Sequence, residues 1–403
     1  MKKSMIVAAM LAMVATGANA KSATDSAAIA KNKPVFTVVK QNPITSIKDQ
    51  NRSGTCWAYS TLSYFESEIL KHTGKTYDLS EMFVANKTYM DRATVAVRMH
   101  GDVSFSEGGS AYDVLYALQH YGIVPESAMP APGSLTGDSL ANFGEFFAVM
   151  TPYVEAVAKS TSKKLSPAWK SGLQGIIDSY IGKTPAKFTY EGKQYTPQSF
   201  CQSLGLNLDD YVTITSYTHH PMWSKFAVEV QDNWRWPLSY NVPMDDLCKI
   251  IDNAVNNGYT IAWGGDVTED GFTRKGLGIA YDVKKVRSMA GTDADHWFKL
   301  SKDEKKEKFD SLGVNAPEVV PTQAMRQEAF DNWETTDDHG MHIYGIAKDQ
   351  NGKEYYMVKN SWGEYGDYKG TWYMTKAFVA YKTMDFMVNK NAIPKDIRKK
   401  LGI

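Results

Sequence analysis

The segment Asp49–Ser60, Asp-Gln-Asn-Arg-Ser-Gly-Thr-Cys-Trp-Ala-Tyr-Ser, constrains this chain more than any other. A glycine-bearing loop runs into Cys56, and directly after it Ala58, Leu62, Phe65, Ile69 and Leu70 recur at three- and four-residue spacing, stopping near Gly74. That spacing lays an apolar stripe along one side of a helix, and glycine closes it. Cys56 therefore stands at a helix N-terminus, in the positive field of the helix, which favours thiolate over thiol. The backbone N–H of Cys56 and the side-chain amide of Gln50 can both point at a developing oxyanion. Most lone cysteines are packed thiols; this loop makes Cys56 a nucleophile instead.

A nucleophilic thiol needs a base, and the chain offers one far downstream. His339 and His342 precede and enter a β-type run, His342–Ala347, which Asp349-Gln350-Asn351-Gly352 separates from a second run, Glu354–Lys359. Asn-Gly between two such runs is a strong hairpin signal. Asn360 ends the second run and can hold one imidazole nitrogen, fixing the tautomer so that the other faces the thiol. Trp362 beside it would keep water off that bond. The two histidines are three apart, so on a strand they face opposite sides and only one can reach Cys56.

Other patterns place the rest of the chain. Helices are expected from Asp78-Leu79-Ser80-Glu81 onward, over Ala111–Tyr121, around Tyr153–Ala158, over Trp169–Tyr180 and over Met244–Asn256, with strands at Tyr259–Gly264 and Thr371–Met374. Helices thus dominate the first half and strands the last quarter, an α+β chain. His219-His220 offers two metal-ligand types, but adjacent histidines project apart and no Cys or carboxylate ligand set stands at metal spacing, so a structural role is expected and no metal. Trp223, Trp234 and Trp236 read as core. Lys+Arg and Asp+Glu both number 45 in 403 residues, so no overall basic field exists to recruit nucleic acid or anionic lipid.

The N-terminus carries an export pattern: Lys2 and Lys3, the apolar run Met5–Ala15, then Ala18-Asn19-Ala20. The run is too short to span a bilayer, which takes ~20 apolar residues. The mature protein is expected to begin near Lys21, in a periplasm or outside the cell, with no membrane insertion. Three cysteines, an odd number, leave at least one thiol unpaired; Cys201 and Cys248 are expected as buried free thiols.

Gln50, Cys56-Trp57, a distant His, then Asn360-Ser361-Trp362-Gly363 resemble the papain clan of cysteine peptidases. In that family the catalytic His is followed six residues later by Gly; His339 meets this with Gly345, and His342 does not. His339 follows Cys56 by 283 residues, whereas papain-type enzymes separate the pair by roughly 130–150. The long spacing resembles the bleomycin hydrolase and aminopeptidase C branch. So do Leu79–Phe83, Tyr217-Thr218-His219-His220-Pro221, Tyr240–Pro243 and Trp263–Val267.

The resemblance implies a two-lobed papain-like fold. Residues 1–20 would be a signal peptide and 21–403 one peptidase domain: a helical lobe over about 40–130, an insertion over about 130–240 and a β-rich lobe over about 241–403. It implies Cys56, His339 and Asn360 as catalytic residues, Gln50 in the oxyanion hole, Gly108 and Gly109 against the substrate backbone, and Asp338 and Trp362 lining the cleft. It implies a peptide substrate, no cofactor, and a homo-oligomer, a hexamer in the family. An aminopeptidase is the first expectation. The chain stops at Ile403, before the C-terminal arm that places a carboxylate in the cleft of such aminopeptidases. An open-cleft endopeptidase is therefore the alternative, and a non-catalytic peptide-binding protein a distant third. Ser53 stands where papain has a structural cysteine.

Overall fold

The computed structural model describes residues 32–132, 140–289 and 299–403. The export pattern, Met1–Ala20, lies outside the described residues. Helix α1 spans Cys56–Thr73 and ends at Gly74, whose φ of 71° lets its N–H reach back to the Leu70 carbonyl. Helix α2, Glu81–Arg98, starts where the Ser80 hydroxyl accepts from the Phe83 N–H. Helix α3, Ala111–His120, opens on a Ser110–Asp113 capping box. Helices α4, Gly144–Ala158, and α5, Ala168–Ile181, pack on α2 and on each other. These helices share one apolar core, with Leu62, Phe65, Phe83, Phe146 and Ile177 fully buried in it.

The second half is organised by one eleven-stranded sheet. Its strands are β1 Thr37–Gln41, β2 Tyr211–Thr215, β3 Lys225–Phe226, β4 Ser239–Asn241, β5 Ile261–Gly265, β6 Phe272–Thr273, β7 Leu277–Gly278, β8 His339–Lys348, β9 Glu354–Lys359, β10 Thr371–Thr375 and β11 Thr383–Asn389. The order across the sheet is β3-β4-β2-β11-β5-β8-β9-β10-β7-β6, with β1 also paired to β8. Side chains alternate between its two faces. Ala262 of β5 and Met387 of β11 face the helical core. Their neighbours Ile261, Trp263, Phe386 and Val388 face a second core with helices α6, Met244–Asn256, and α8, Lys395–Leu401. Helix α7, Gln323–Asp331, supplies Arg326 to the carbonyls of Ser216 and Ala380.

The β8–β9 hairpin turns at Asn351-Gly352, as its sequence predicts, and β8 begins three residues earlier than the apolar run alone suggests. The stretch expected as an insertion divides in two. Helices α4 and α5 join the helical core, whereas β2, β3 and β4 extend the sheet from β11. Of the three tryptophans expected as core, Trp234 is buried, Trp223 is half-buried and Trp236 is exposed. Trp236 adopts φ 55°. Among the described residues no helix is long and apolar enough to cross a membrane.

Candidate active site

The N-terminus of α1 packs against β8, and Gly340 makes that approach possible. A Cβ there would lie 2.7 Å from the Ser60 Oγ and 3.3 Å from the Trp57 Cα. Helix and strand thereby bring Cys56 and His339 to opposite walls of one cleft cavity of 190 Å³. Thr55 places no side-chain cap on α1, its carbonyl takes the Ala58 and Tyr59 N–H groups, and the Cys56 N–H can face an incoming oxyanion. The loop before Cys56 is braced from the helical lobe: Glu107 accepts the Gly54 N–H at 2.6 Å, and its carbonyl accepts the Trp57 indole N–H at 3.1 Å.

His339 Nε2 lies 2.8 Å from Asn360 Oδ1. The same Oδ1 accepts the Ser361 N–H at 2.8 Å, which fixes which end of the carboxamide faces the ring. Nε2 therefore carries the proton, and Nδ1 is left as the base. The Trp362 ring covers the pair, 4.9 Å from the imidazole centroid and edge-on to Trp372. Trp362 does not line the cavity itself; it shields the His339–Asn360 bond. His342 points to the other face, fully buried, with Nδ1 2.9 Å from the Ser63 hydroxyl. Gln50 stands behind the cleft wall: one N–H goes to the Ser53 carbonyl at 2.6 Å, and Oε1 accepts from the Ser361 hydroxyl at 2.6 Å. It ties the nucleophile loop to the strand end that carries Asn360, and its nitrogen has a second N–H to offer.

Burial pushes the Cys56 thiol up to about 12. Asp232 and Asp337 add to the rise, and the backbones of Gly340 and Trp57 oppose it. Burial also holds His339 down to about 4, with the Asn360 bond pulling the other way. Burial thus opposes both the thiolate and the imidazolium, against the helix field that favours thiolate at Cys56. Cys201 and Cys248 are free thiols, buried and half-buried.

The opposite end of the cleft is acidic, and sequence reading found only part of it. Gly108 and Gly109 line the cavity with Asp232, Asp337, Asp338 and Asp385. Asp338 accepts from the Val267 N–H and the Thr268 hydroxyl, both at 2.9 Å. Asp232 lies so close to Gly108 that a Cβ on that glycine would fall on its carboxylate. Arg92, fully buried, holds both: its Nη1 donates to the Gly108 carbonyl at 2.5 Å and to Asp232 at 3.1 Å. Arg235 clamps the same segment to α2 and α3 through Asp91 at 2.7 Å and Asp113 at 2.6 Å. Burial and mutual repulsion raise Asp337 well above the usual carboxylate range, and burial raises Asp385 to about 6 and Asp338 to about 7. Asp232, Asp337 and Asp385 carry no motif. The signal was Arg235 set between two tryptophans just after Asp232 in Asp232-Asn233-Trp234-Arg235-Trp236, which reads as packing until the fold is known.

The expectation that His219 and His220 project apart with no carboxylate nearby is overturned. Glu229 Oε2 lies 3.0 Å from His219 Nε2, and its Oε1 lies 3.0 Å from His220 Nε2. The two residues sit in a bend outside any strand, so the alternation that separates neighbouring side chains does not apply.

Two family models match the chain: the papain family of cysteine proteases over residues 33–165, and the peptidase C1-like family over residues 309–402. The chain is a papain-like cysteine peptidase of the bleomycin hydrolase and aminopeptidase C branch. This peptidase is 24% identical to aminopeptidase C of Lactobacillus helveticus over 90% of its length and 85% of that protein. It is 22% identical to aminopeptidase G of Lactobacillus delbrueckii subsp. lactis over 89% of its length and 84% of that protein. The crystal structure of PepW from Lactobacillus rhamnosis HN001 shares its fold, with a TM-score of 0.68 at 19% identity, covering 94% of this chain and 86% of that one.

Proposed function

We propose that this peptidase is an exported aminopeptidase that reads the free α-ammonium of a peptide through Asp232. Cys56 attacks the first peptide carbonyl as His339 Nδ1 takes its proton. The Cys56 amide and the second N–H of Gln50 hold the oxyanion. His339 then returns the proton to the leaving amine, and water, activated by the same imidazole, hydrolyses the thioester. Asn360 keeps the imidazole in the tautomer that this sequence requires, and Asp338 lines the leaving-group side.

The observation that carries the reading is the carboxylate of Asp232 seated on Gly108. Extended substrate backbone would lie along Gly108 and Gly109. A longer chain running past that point meets Asp232, whereas a free ammonium finds there a fixed anion braced by Arg92, on a segment that Arg235 ties to Asp113. The aminopeptidase names of the full-length relatives support the same reading.

Purified protein under reducing conditions, offered one peptide with a free and with an acetylated N-terminus, tests this. Mass spectrometry should show residues leaving one at a time from the free form only. Internal cleavage of both forms would replace the reading with the endopeptidase one. The export pattern at Lys2–Ala20 supports cleavage before Lys21; N-terminal sequencing of the protein from its source should begin at Lys21, and an intact Met1 would remove export from the proposal. The hexamer of the branch is part of the proposal too, and light scattering giving a monomer would remove it.

A further inference from the structure

We propose that His219, His220 and Glu229 form a binding site for one zinc ion at the rim of the cavity beside the catalytic cleft. Two imidazole Nε2 atoms and one carboxylate converge there, all within 4.8 Å of one another. Protein ligands stand ~2.0–2.2 Å from zinc, so their mutual spacing in a tetrahedron is roughly 3.3 Å. The observed 3.0 Å separations between Glu229 and each imidazole are close to that edge length. Two imidazoles with one carboxylate suit zinc and its transition-metal neighbours rather than calcium or magnesium, which take oxygen ligands. A fourth position stays open to water.

The rings are held in place before any ion arrives. His220 stacks on Phe226 at 4.2 Å and 20°, and His219 stacks on Phe330 of α7 at 5.6 Å and 20°. His219 Nδ1 meets the Gln327 carboxamide, 3.2 Å from its oxygen and 3.1 Å from its nitrogen. That group can donate to Nδ1 while Nε2–H bonds Glu229. It can equally accept from Nδ1–H once the Nε2 lone pair is given to a metal. Binding thus needs a tautomer shift at His219, which the partner on its far side already accommodates. The Glu229 side chain is 56% exposed, so an ion can enter from solution. His219 and Glu229 line a cavity of 730 Å³ that shares Asp232, Asp337 and Met384 with the cleft. A bound ion would therefore fasten the segment bearing Asp232, three residues beyond Glu229, to the His219–His220 bend, which packs on α7 through Gln327 and Phe330.

Competition between the full-length protein and a chromogenic zinc chelator tests the site. The Cys56→Ala background keeps the catalytic thiol from contributing. One zinc per chain is expected. His219→Ala and His220→Ala should each lower the affinity at least 100-fold, Glu229→Gln should do the same with the fold intact, and Gln327→Ala about 10-fold. Cobalt substituted for zinc should give the intense visible absorption of a tetrahedral centre, lost in the histidine variants. No zinc taken up, or uptake unchanged in His219→Ala and Glu229→Gln, overturns the proposal. The readout is metal binding, so it stands or falls independently of the aminopeptidase reading.

Discussion

The two ends of the cleft are built on opposite plans. At the thiol end, a helix N-terminus and a strand start meet over Gly340, and burial drives Cys56 up and His339 down. At the acidic end, Asp232 is seated on Gly108, and Asp337, Asp338 and Asp385, which line the same cavity, are raised, chiefly by burial. The thiol end rests on contacts between one helix and one strand, and the acidic end on a carboxylate that a distant arginine holds. The lesson is that chemistry and specificity in this cleft are separable by mutation.

The largest effect should come from Cys56→Ala, which removes the nucleophile and should lower kcat at least ~10⁴-fold on every substrate. Retained turnover would place the chemistry elsewhere. Asn360→Ala leaves His339 free to adopt either tautomer and should lower kcat about 10²-fold, a loss on the scale of general base catalysis. KM should move little. Asp232→Asn belongs to the other end. It should lower kcat/KM for free-amine peptides by roughly 10- to 100-fold, the value of a charge-assisted hydrogen bond, with kcat for whatever substrate binds largely kept.

How much of this contrast could be read from the chain follows the same division. The thiol end is made of short local signals: a glycine loop entering a helix at Cys56, and an Asn-Gly hairpin that sets His339 and Asn360 on neighbouring strands. These survive without knowledge of the fold. The acidic end arises only when β2–β4 bring residues 228–236 back over α2 and α3, because Asp232 is placed by Arg92, 140 residues away in sequence. The His219–His220–Glu229 cluster was misread for a related reason. Alternation along an extended strand does not hold in a bend, and Glu229 reaches it from across a short loop. Strand β11 escaped because Thr383–Asn389 is buried on both faces and shows no clean alternation.

Smaller effects sharpen the comparison. Gly340→Ala should cost about 1–3 kcal/mol of stability by forcing α1 off β8, and should reduce activity on acetylated and free substrates alike; urea unfolding checks the first part. The two ends also differ in the sign of their pH dependence. Asp385, raised from 3.8 to about 6, holds more protons folded than unfolded in that window, so its contribution to stability falls as pH rises from about 4 to 6. His339, lowered from 6.5 to about 4, holds fewer protons folded, so its contribution rises over nearly the same range. Urea midpoints measured from pH 4 to 7 should therefore show a steeper rise for Asp385→Asn than for the parent. An unchanged slope would mean that Asp385 is not a raised carboxylate.

The most direct test of the account is the ratio of kcat/KM for one peptide with a free and with an acetylated N-terminus, measured for the parent and for Asp232→Asn. The parent should strongly favour the free form, and the variant should lose most of that preference while keeping Cys56-dependent turnover. A preference unchanged in Asp232→Asn would contradict the claim that this carboxylate reads the substrate's amino terminus.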